Sequence, residues 1–414
     1  MKINKYWILF SFFNFLIASL MGLILRGAFI WELDWLDYRN MMHGHSHVAM
    51  LGWVYLALYI LIGHFFLPKK TWAKPIYTWL FWFTQMTVMG MMISFPIQGY
   101  GAVSITFSTL HILASYLFCY LIWRDQEIKS LQIALLLKTS IVLLVISTLG
   151  IWSLGPIAAL GGRGSTFYQL AIQFYLHFQF HGWFTFSVLA LILSVLSQNS
   201  PFNRIIFNRF YVLLLASVIL TYGLVLEWGL GGSIPLLLNA LGLVLQLAAL
   251  VFFLKLKKEN SPYTSQNVSL VSKTFFGFGL LSWMFKIIVQ SVVLVPSVAV
   301  VSFTIRSLMI GFIHLTMLGF VSGLLFALIF GIGNMAERVV IIQAGKYLFI
   351  IGFVLSEFIL FVQGLFYWFQ WGQIPAFHEL IFGTSALLPL SILLIIIYTV
   401  KFPVFKHYPN LTTA

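Results

Sequence analysis

The stretch HGHSHVAMLGWVYLALYILIGHFFL, residues 43–67, joins three closely spaced histidines to an apolar run of membrane length. One helix needs about 20 apolar residues to cross a bilayer, and this stretch provides them without any aspartate, glutamate, lysine or arginine. It therefore predicts a membrane-spanning helix with three imidazoles at its beginning. Either the histidines belong to a solvated loop, or one or more of them bind a metal or a haem.

The composition of the whole chain predicts a polytopic membrane protein. Of its 414 residues, 61% are hydrophobic and 8% are charged, and a soluble chain of this length needs far more charge to cover its surface. We expect residues 1–414 to form a single all-α membrane domain, because the connections are too short for a separate soluble domain. The twelve predicted spans are 6–28, 43–67, 75–96, 103–123, 132–154, 168–197, 205–228, 233–255, 273–295, 303–331, 345–370 and 380–402. Pro156 and the Gly161-Gly162 pair are expected to end span five.

The basic residues predict the orientation in the membrane. The formal net charge is +13, which in a soluble chain would suggest a nucleic-acid partner. Most of the 23 lysines and arginines instead fall in alternate connections, on the side that holds both termini. Because cytoplasmic loops are enriched in lysine and arginine, we expect both termini in the cytoplasm of a bacterial inner membrane. The lipid bilayer, and not nucleic acid, is the expected partner.

A histidine motif recurs in three of the spans. The segments HVAMLGW (47–53), HFQFHGW (177–183) and HLTMLGF (314–320) each have a histidine, four residues, a glycine and an aromatic residue. They fall in spans two, six and ten, so a four-helix unit is predicted to occur three times, at about 1–130, 131–265 and 266–414. The motif glycine would allow close approach of a helix or a porphyrin. Chance agreement is the alternative, since these residue types are common in membrane helices.

Helix geometry groups the histidines. Residues two apart differ by about 200° around a helix, so His45 and His47 are predicted to face opposite sides and to serve different cofactors. His43 and His47 lie one turn apart and could share a site, as could His177 and His181. An imidazole within a membrane is costly without a partner, and neutral imidazole is a good ligand for haem iron and for copper.

Each histidine also has a structural interpretation. His43 is expected to be a solvated residue at the start of its helix, and His111 a packed residue in mid-span. His64, His378 and His407 are expected to be ordinary interface or tail residues. The single cysteine of the chain excludes a covalently attached c-type haem.

The helix plan and one motif resemble a known superfamily. Twelve helices in three four-helix arcs, with histidines on helices two, six and ten, resemble subunit I of the haem–copper oxidases. GHSHVAMLGW (44–53) is similar to the tenth helix of cbb-type oxidases and nitric oxide reductases, where His-x-His carries two haems. Here the motif lies on helix two, no adjacent histidine pair occurs on helix seven, and no His-x-x-x-Tyr occurs on helix six. In length and pattern the chain is most similar to the NnrS family, haem- and copper-containing membrane proteins linked to nitric oxide stress.

This resemblance implies a b-type haem between spans two and ten. His47 and His314 would be its axial ligands. His45, which faces the other way, would define with His177 and His181 a second site for a metal or gas, occupied by a second haem or by copper. A quinol or cytochrome electron donor and a small gas ligand are the implied partners.

Four arginines are expected at the same outer face as these histidines. Guanidinium groups bind carboxylates bidentately, so these residues are candidates for the haem propionates. The alternative is that they extend to lipid headgroups. They are Arg26, Arg39, Arg163 and Arg306.

The sequence thus predicts a haem b-binding inner-membrane protein that acts in electron transfer or in binding nitric oxide or oxygen. Two alternatives stay open. One is a nitric oxide or oxygen reductase with a degenerate binuclear centre; the other is a transporter of a metal or small solute. The intramembrane charges Lys286 and Glu357 are expected to line a polar cavity or a proton path, or to form a structural ion pair.

Overall fold

The fold is all-helical. The computed structural model describes residues 4–197, 200–259, 268–331 and 339–402, and within these ranges it contains helices and no β-strand. Twelve helices in these ranges are long and apolar enough to cross a membrane, which confirms the predicted fold class and number of spans. They are α1 Lys5–Gly27, α2 Tyr38–Phe66, α3 Pro75–Gln98, α4 Ala102–Asp125, α5 Leu131–Gly161, α6 Thr166–Leu196, α7 Arg204–Leu230, α8 Ser233–Glu259, α9 Leu270–Leu294, α10 Arg306–Gly331, α11 Val340–Trp368 and α12 Phe377–Lys401.

Helix α2 begins five residues earlier than predicted. Asp37 is its N-cap, and the carboxylate accepts a hydrogen bond from the backbone N–H of Asn40 at 2.9 Å. Such a cap satisfies one of the donors left over at a helix start. The expectation that His43 lies at the start of its helix is wrong, because it lies more than one turn inside α2; its side chain is half-buried.

Helix α5 continues through Pro156 and ends at Gly161. The expected break at the proline is therefore wrong, whereas the expected break at the glycine pair is confirmed. Gly162 has φ = +79°, a left-handed conformation that glycine adopts without steric cost, and it ends the helix.

Each helix that carries the repeated motif changes from α to π geometry directly after its histidine. In all three, the histidine is the last α-helical residue. Short π segments are rare and frequently occur at functional sites. The three motifs therefore share a backbone geometry as well as a residue pattern. The π segments are Val48–Tyr55, Phe178–Phe184 and Leu315–Ser322.

The chain divides into two compact units. Unit one comprises Met1–Glu127, Ser269–Phe278 and Ser322–Ala414, and unit two comprises Ile128–Val268 and Gly279–Val321. The unit borders after Glu127 and Val268 lie close to residues 130 and 265, where the first two repeated four-helix units are predicted to end. The third predicted segment contributes to both units, and the arrangement in three arcs stays a prediction.

Unit one has an aromatic core around Trp53, which lies in the π segment of α2. The indole stacks on Phe15 with a centroid distance of 4.7 Å and an interplanar angle of 7°, and it contacts Phe326 at 5.4 Å. Its N–H donates to the hydroxyl of Ser322 at 2.8 Å. The polar edge of this buried ring is thereby satisfied, as a membrane interior requires.

A buried amide pair also contacts this π segment. Asn14 donates to the side-chain oxygen of Gln85 at 2.8 Å, and Gln85 donates back to Asn14 at 3.0 Å. Asn14 also donates to the carbonyl of Gly52 at 3.0 Å. A Cβ at Gly52 would lie 2.8 Å from Cγ1 of Val88, so at this position the motif glycine permits close helix packing.

Candidate haem site and a lysine–histidine cluster

His45 and His47 face opposite sides of α2, which confirms the prediction from helix geometry. His45 faces α1: its Nδ1 lies 2.8 Å from the carbonyl oxygen of Ala18, and a Cβ at Gly22 would lie 2.9 Å from its ring. His47 faces α3, where its ring stacks on Phe95 with a centroid distance of 4.1 Å. The two imidazoles are therefore placed for different partners.

The hydrogen bonds fix the tautomers of both rings. Nδ1 of His47 lies 2.8 Å from the carbonyl oxygen of His43, and a carbonyl oxygen can only accept. In each neutral ring the proton is therefore on Nδ1 and the lone pair is on Nε2. Nε2 of His47 has no hydrogen bond to any of the described residues. A histidine that binds a metal through Nε2 is usually oriented by such an Nδ1–H bond.

Aromatic rings enclose His47 on the side toward α3. The ring of Tyr100 lies 6.0 Å from that of His47 and 5.1 Å from that of Phe95. His43 contacts Tyr100 edge-on at 4.7 Å. His47 itself is half-buried. The imidazole therefore lies in a largely apolar, aromatic setting that suits one face of a porphyrin as well as simple side-chain packing.

The four arginines differ in their surroundings. Arg26 is half-buried at the end of α1, within electrostatic range of His45. Arg39 is exposed and lies within electrostatic range of His43. These two are near the histidines of α2, so they are the better candidates for carboxylate binding. The other two, Arg163 and Arg306, are exposed residues of unit two.

His177 and His181 come together in unit two, as their spacing predicted. Their ring centroids are 4.9 Å apart, and both side chains are buried. Nε2 of His177 donates to the carbonyl of Val218 at 2.7 Å. Lys286 of α9 places its ammonium 3.1 Å from Nδ1 of His181. The intramembrane lysine seen in the sequence thus has imidazole, not a carboxylate, as a neighbour.

The position of Lys286 opposes metal binding at the expected second site. Within the described ranges, no group of three or more histidines, cysteines, aspartates or glutamates is placed to hold a metal ion. The Lys286 ammonium occupies one nitrogen of His181 and carries the same sign of charge as a metal ion, which it repels. His45 belongs to unit one, and its Nδ1 is bound to the Ala18 carbonyl, which leaves the lone pair on Nε2. Its joint binding of a metal with His177 and His181 stays a prediction.

His314 is half-buried and is the last α-helical residue before the π segment of α10. It belongs to unit two, and His47 belongs to unit one. Their joint ligation of one haem therefore stays a prediction.

The other histidines have packing contacts. His111 is buried and lies edge-on to Tyr55 at 4.8 Å, and His378 stacks on Phe29 at 4.9 Å with an interplanar angle of 6°. His407 lies outside the described residues. Packing was the expected role for His111.

Sequence reasoning missed two neighbours of these sites. Gln290, which accepts a hydrogen bond from Lys286 at 2.6 Å, follows it by one helical turn, and that spacing was a usable signal. Tyr100 lies beyond the end of α3, and no local pattern connects it to the histidines of α2.

Comparison of the chain with protein-family models and with curated proteins finds no match.

Proposed function

We propose that this chain binds a b-type haem in the bacterial cytoplasmic membrane and acts in electron transfer or in binding nitric oxide or oxygen. The observation that carries the proposal is the state of His47. Its Nδ1–H is bound to the carbonyl of His43 at 2.8 Å, and its Nε2 has no hydrogen bond from the described residues. A lone pair in this position is suited to an axial bond to iron.

The surroundings of His47 support haem over a small hydrated ion. The imidazole stacks on Phe95, and Tyr100 lies nearby. Apolar aromatic walls suit the large flat face of a porphyrin, whereas hard cations require oxygen ligands. Bound haem would supply either a reversible one-electron couple or an iron centre for a diatomic gas.

The chain's own residues would then have separate roles. Nε2 of His47 would hold the iron, and the His43 carbonyl would fix the ring orientation and make Nε2 more basic. His314 is proposed as the second axial ligand because of the resemblance in helix plan. Arg26 and Arg39 are proposed to meet the propionates. A quinol or a cytochrome is the proposed electron donor.

The number of axial ligands decides between the two activities. If both His47 and His314 hold the haem, it would act in electron transfer, whereas if His47 alone holds it, the haem would be able to bind a gas. Optical spectra of the purified protein, oxidised and reduced, with and without nitric oxide, distinguish these states. The reductase alternative needs a second metal centre, which the position of Lys286 beside His181 opposes.

The test of haem binding compares two histidines of α2. We expect His47→Ala to lose the haem or its low-spin bands. The control is His64→Ala, because His64 is also half-buried on α2 and lies edge-on to its neighbour Phe65. That variant should keep the wild-type spectrum. A wild-type protein without haem, or an unchanged spectrum in His47→Ala, would overturn the proposal and favour the transporter alternative.

A further inference from the structure

Lys286 is a buried lysine surrounded by neutral groups. Its side chain is 3% exposed. The ammonium lies 2.6 Å from the side-chain oxygen of Gln290, 3.1 Å from Nδ1 of His181 and 5.7 Å from the ring centroid of Phe312. None of these partners carries negative charge. An intramembrane cation of this kind is expensive and is usually functional.

The hydrogen bonds leave the histidine pair poorly prepared for a metal. Because an ammonium can only donate, His181 accepts at Nδ1 and carries its proton on Nε2. His177 donates from Nε2 to the carbonyl of Val218, so its lone pair is on Nδ1. A metal shared by the two rings needs one lone pair from each. The lone pair of His181 is already engaged by Lys286.

We infer that the positively charged Lys286 takes the place of a metal ion beside the His177–His181 pair and excludes metal ions from it. Histidines one helical turn apart are otherwise good ligands for copper, nickel or zinc. The lysine opposes such binding in two ways: it occupies a ligand nitrogen, and it places a like charge at hydrogen-bond distance. The His177–His181 pair is therefore free of metal. This inference does not depend on haem binding at His47.

Replacing Lys286 with a neutral side chain tests the inference. We expect wild-type protein titrated with Cu²⁺ to take up none at this pair. Lys286→Leu should bind one equivalent, at a Cu²⁺ concentration about 100-fold below any at which the wild type takes it up there, since both the competing hydrogen bond and the like charge are removed. Electron paramagnetic resonance should show nitrogen ligation, and adding His181→Ala to Lys286→Leu should abolish it.

Lys346 provides the matched control. It is also a buried lysine within a spanning helix, at 1% exposure, and its ammonium lies 4.1 Å from the ring centroid of Tyr347 and not beside an imidazole. Lys346→Leu removes one buried charge in the same way and should create no copper site. Equal copper uptake in both leucine variants would overturn the inference, because it would show that the gain does not depend on His181.

A second comparison needs no change at Lys286. If Lys286→Leu does not give a folded protein by size-exclusion chromatography, wild type and His181→Ala are titrated with Cu²⁺ side by side. The inference requires equal uptake by these two proteins. Loss of one copper equivalent in His181→Ala would show that the wild-type pair binds metal beside its lysine, and the inference would be wrong.

Discussion

Trp53 and Ser322 form a buried hydrogen bond within unit one. The indole N–H of Trp53, in the π segment of α2, donates to the hydroxyl of Ser322 at 2.8 Å, and Ser322 is the last residue of the π segment of α10. Because both side chains are buried, water does not compete for this bond.

Removing this bond should destabilise the protein modestly. Trp53→Phe keeps a ring to stack on Phe15 but loses the N–H donor, so we expect a cost of about 1 kcal/mol. Ser322→Ala should cost about the same, measured by thermal unfolding in detergent. Because both changes remove the same hydrogen bond, the double variant should be little less stable than either single variant. Fully additive costs would show that the bond does not contribute.

The second proposed haem ligand is tested by His314. We expect His314→Ala to convert a six-coordinate low-spin haem into a five-coordinate one that binds nitric oxide. Added imidazole should restore the low-spin bands, which a purely structural defect would not allow. A normal six-coordinate spectrum in His314→Ala would show that the partner of His47 is another residue.

The close packing at Gly52 predicts a specific steric effect. Gly52→Ala places a Cβ 2.8 Å from Cγ1 of Val88, and we expect a loss of about 1–3 kcal/mol from overpacking. Val88→Ala removes that carbon, so the double variant should be more stable than the sum of the single effects implies. The control is Gly155→Ala on α5, where a Cβ would have nothing within 4 Å; this change should be neutral or slightly stabilising.

The distribution of basic residues predicts the topology. Reporter fusions after residues 70, 125 and 258 should all give cytoplasmic signals, since each lies within a few residues of the inner end of a spanning helix in the positive-inside orientation. An external signal at any of these three positions contradicts that orientation.

The membrane spans were predictable because each is indicated by residues that are consecutive in the sequence. Each is an apolar run of bilayer length, and polar residues or helix breakers separate the runs. The predicted start of α2 is five residues late because its first turn contains the polar residues Arg39 and Asn40, which lie outside the apolar run. Asp37 is a typical N-cap residue and was the overlooked signal.

The partners of the histidines were less predictable, because they depend on packing between distant segments. Helix geometry predicted that His45 and His47 diverge and that His177 and His181 converge. It did not predict that Lys286, 105 positions from His181, would reach its ring. Nor did it predict the π segments, since no residue type is specific for that backbone geometry and the surrounding contacts select it.

The π segment after each motif histidine has a consequence for evolution by insertion and deletion. A π turn accommodates a residue that a regular α-helix of the same rise has no place for. Deleting one residue between 48 and 55 would therefore let α2 close as a regular α-helix while His47 keeps nearly the same direction relative to the buried lower half. The same deletion in the regular stretch Leu56–Phe66 would rotate every residue above it by about 100° around the axis. The π segments thus allow the motif helices to lose one residue without redirecting their histidines.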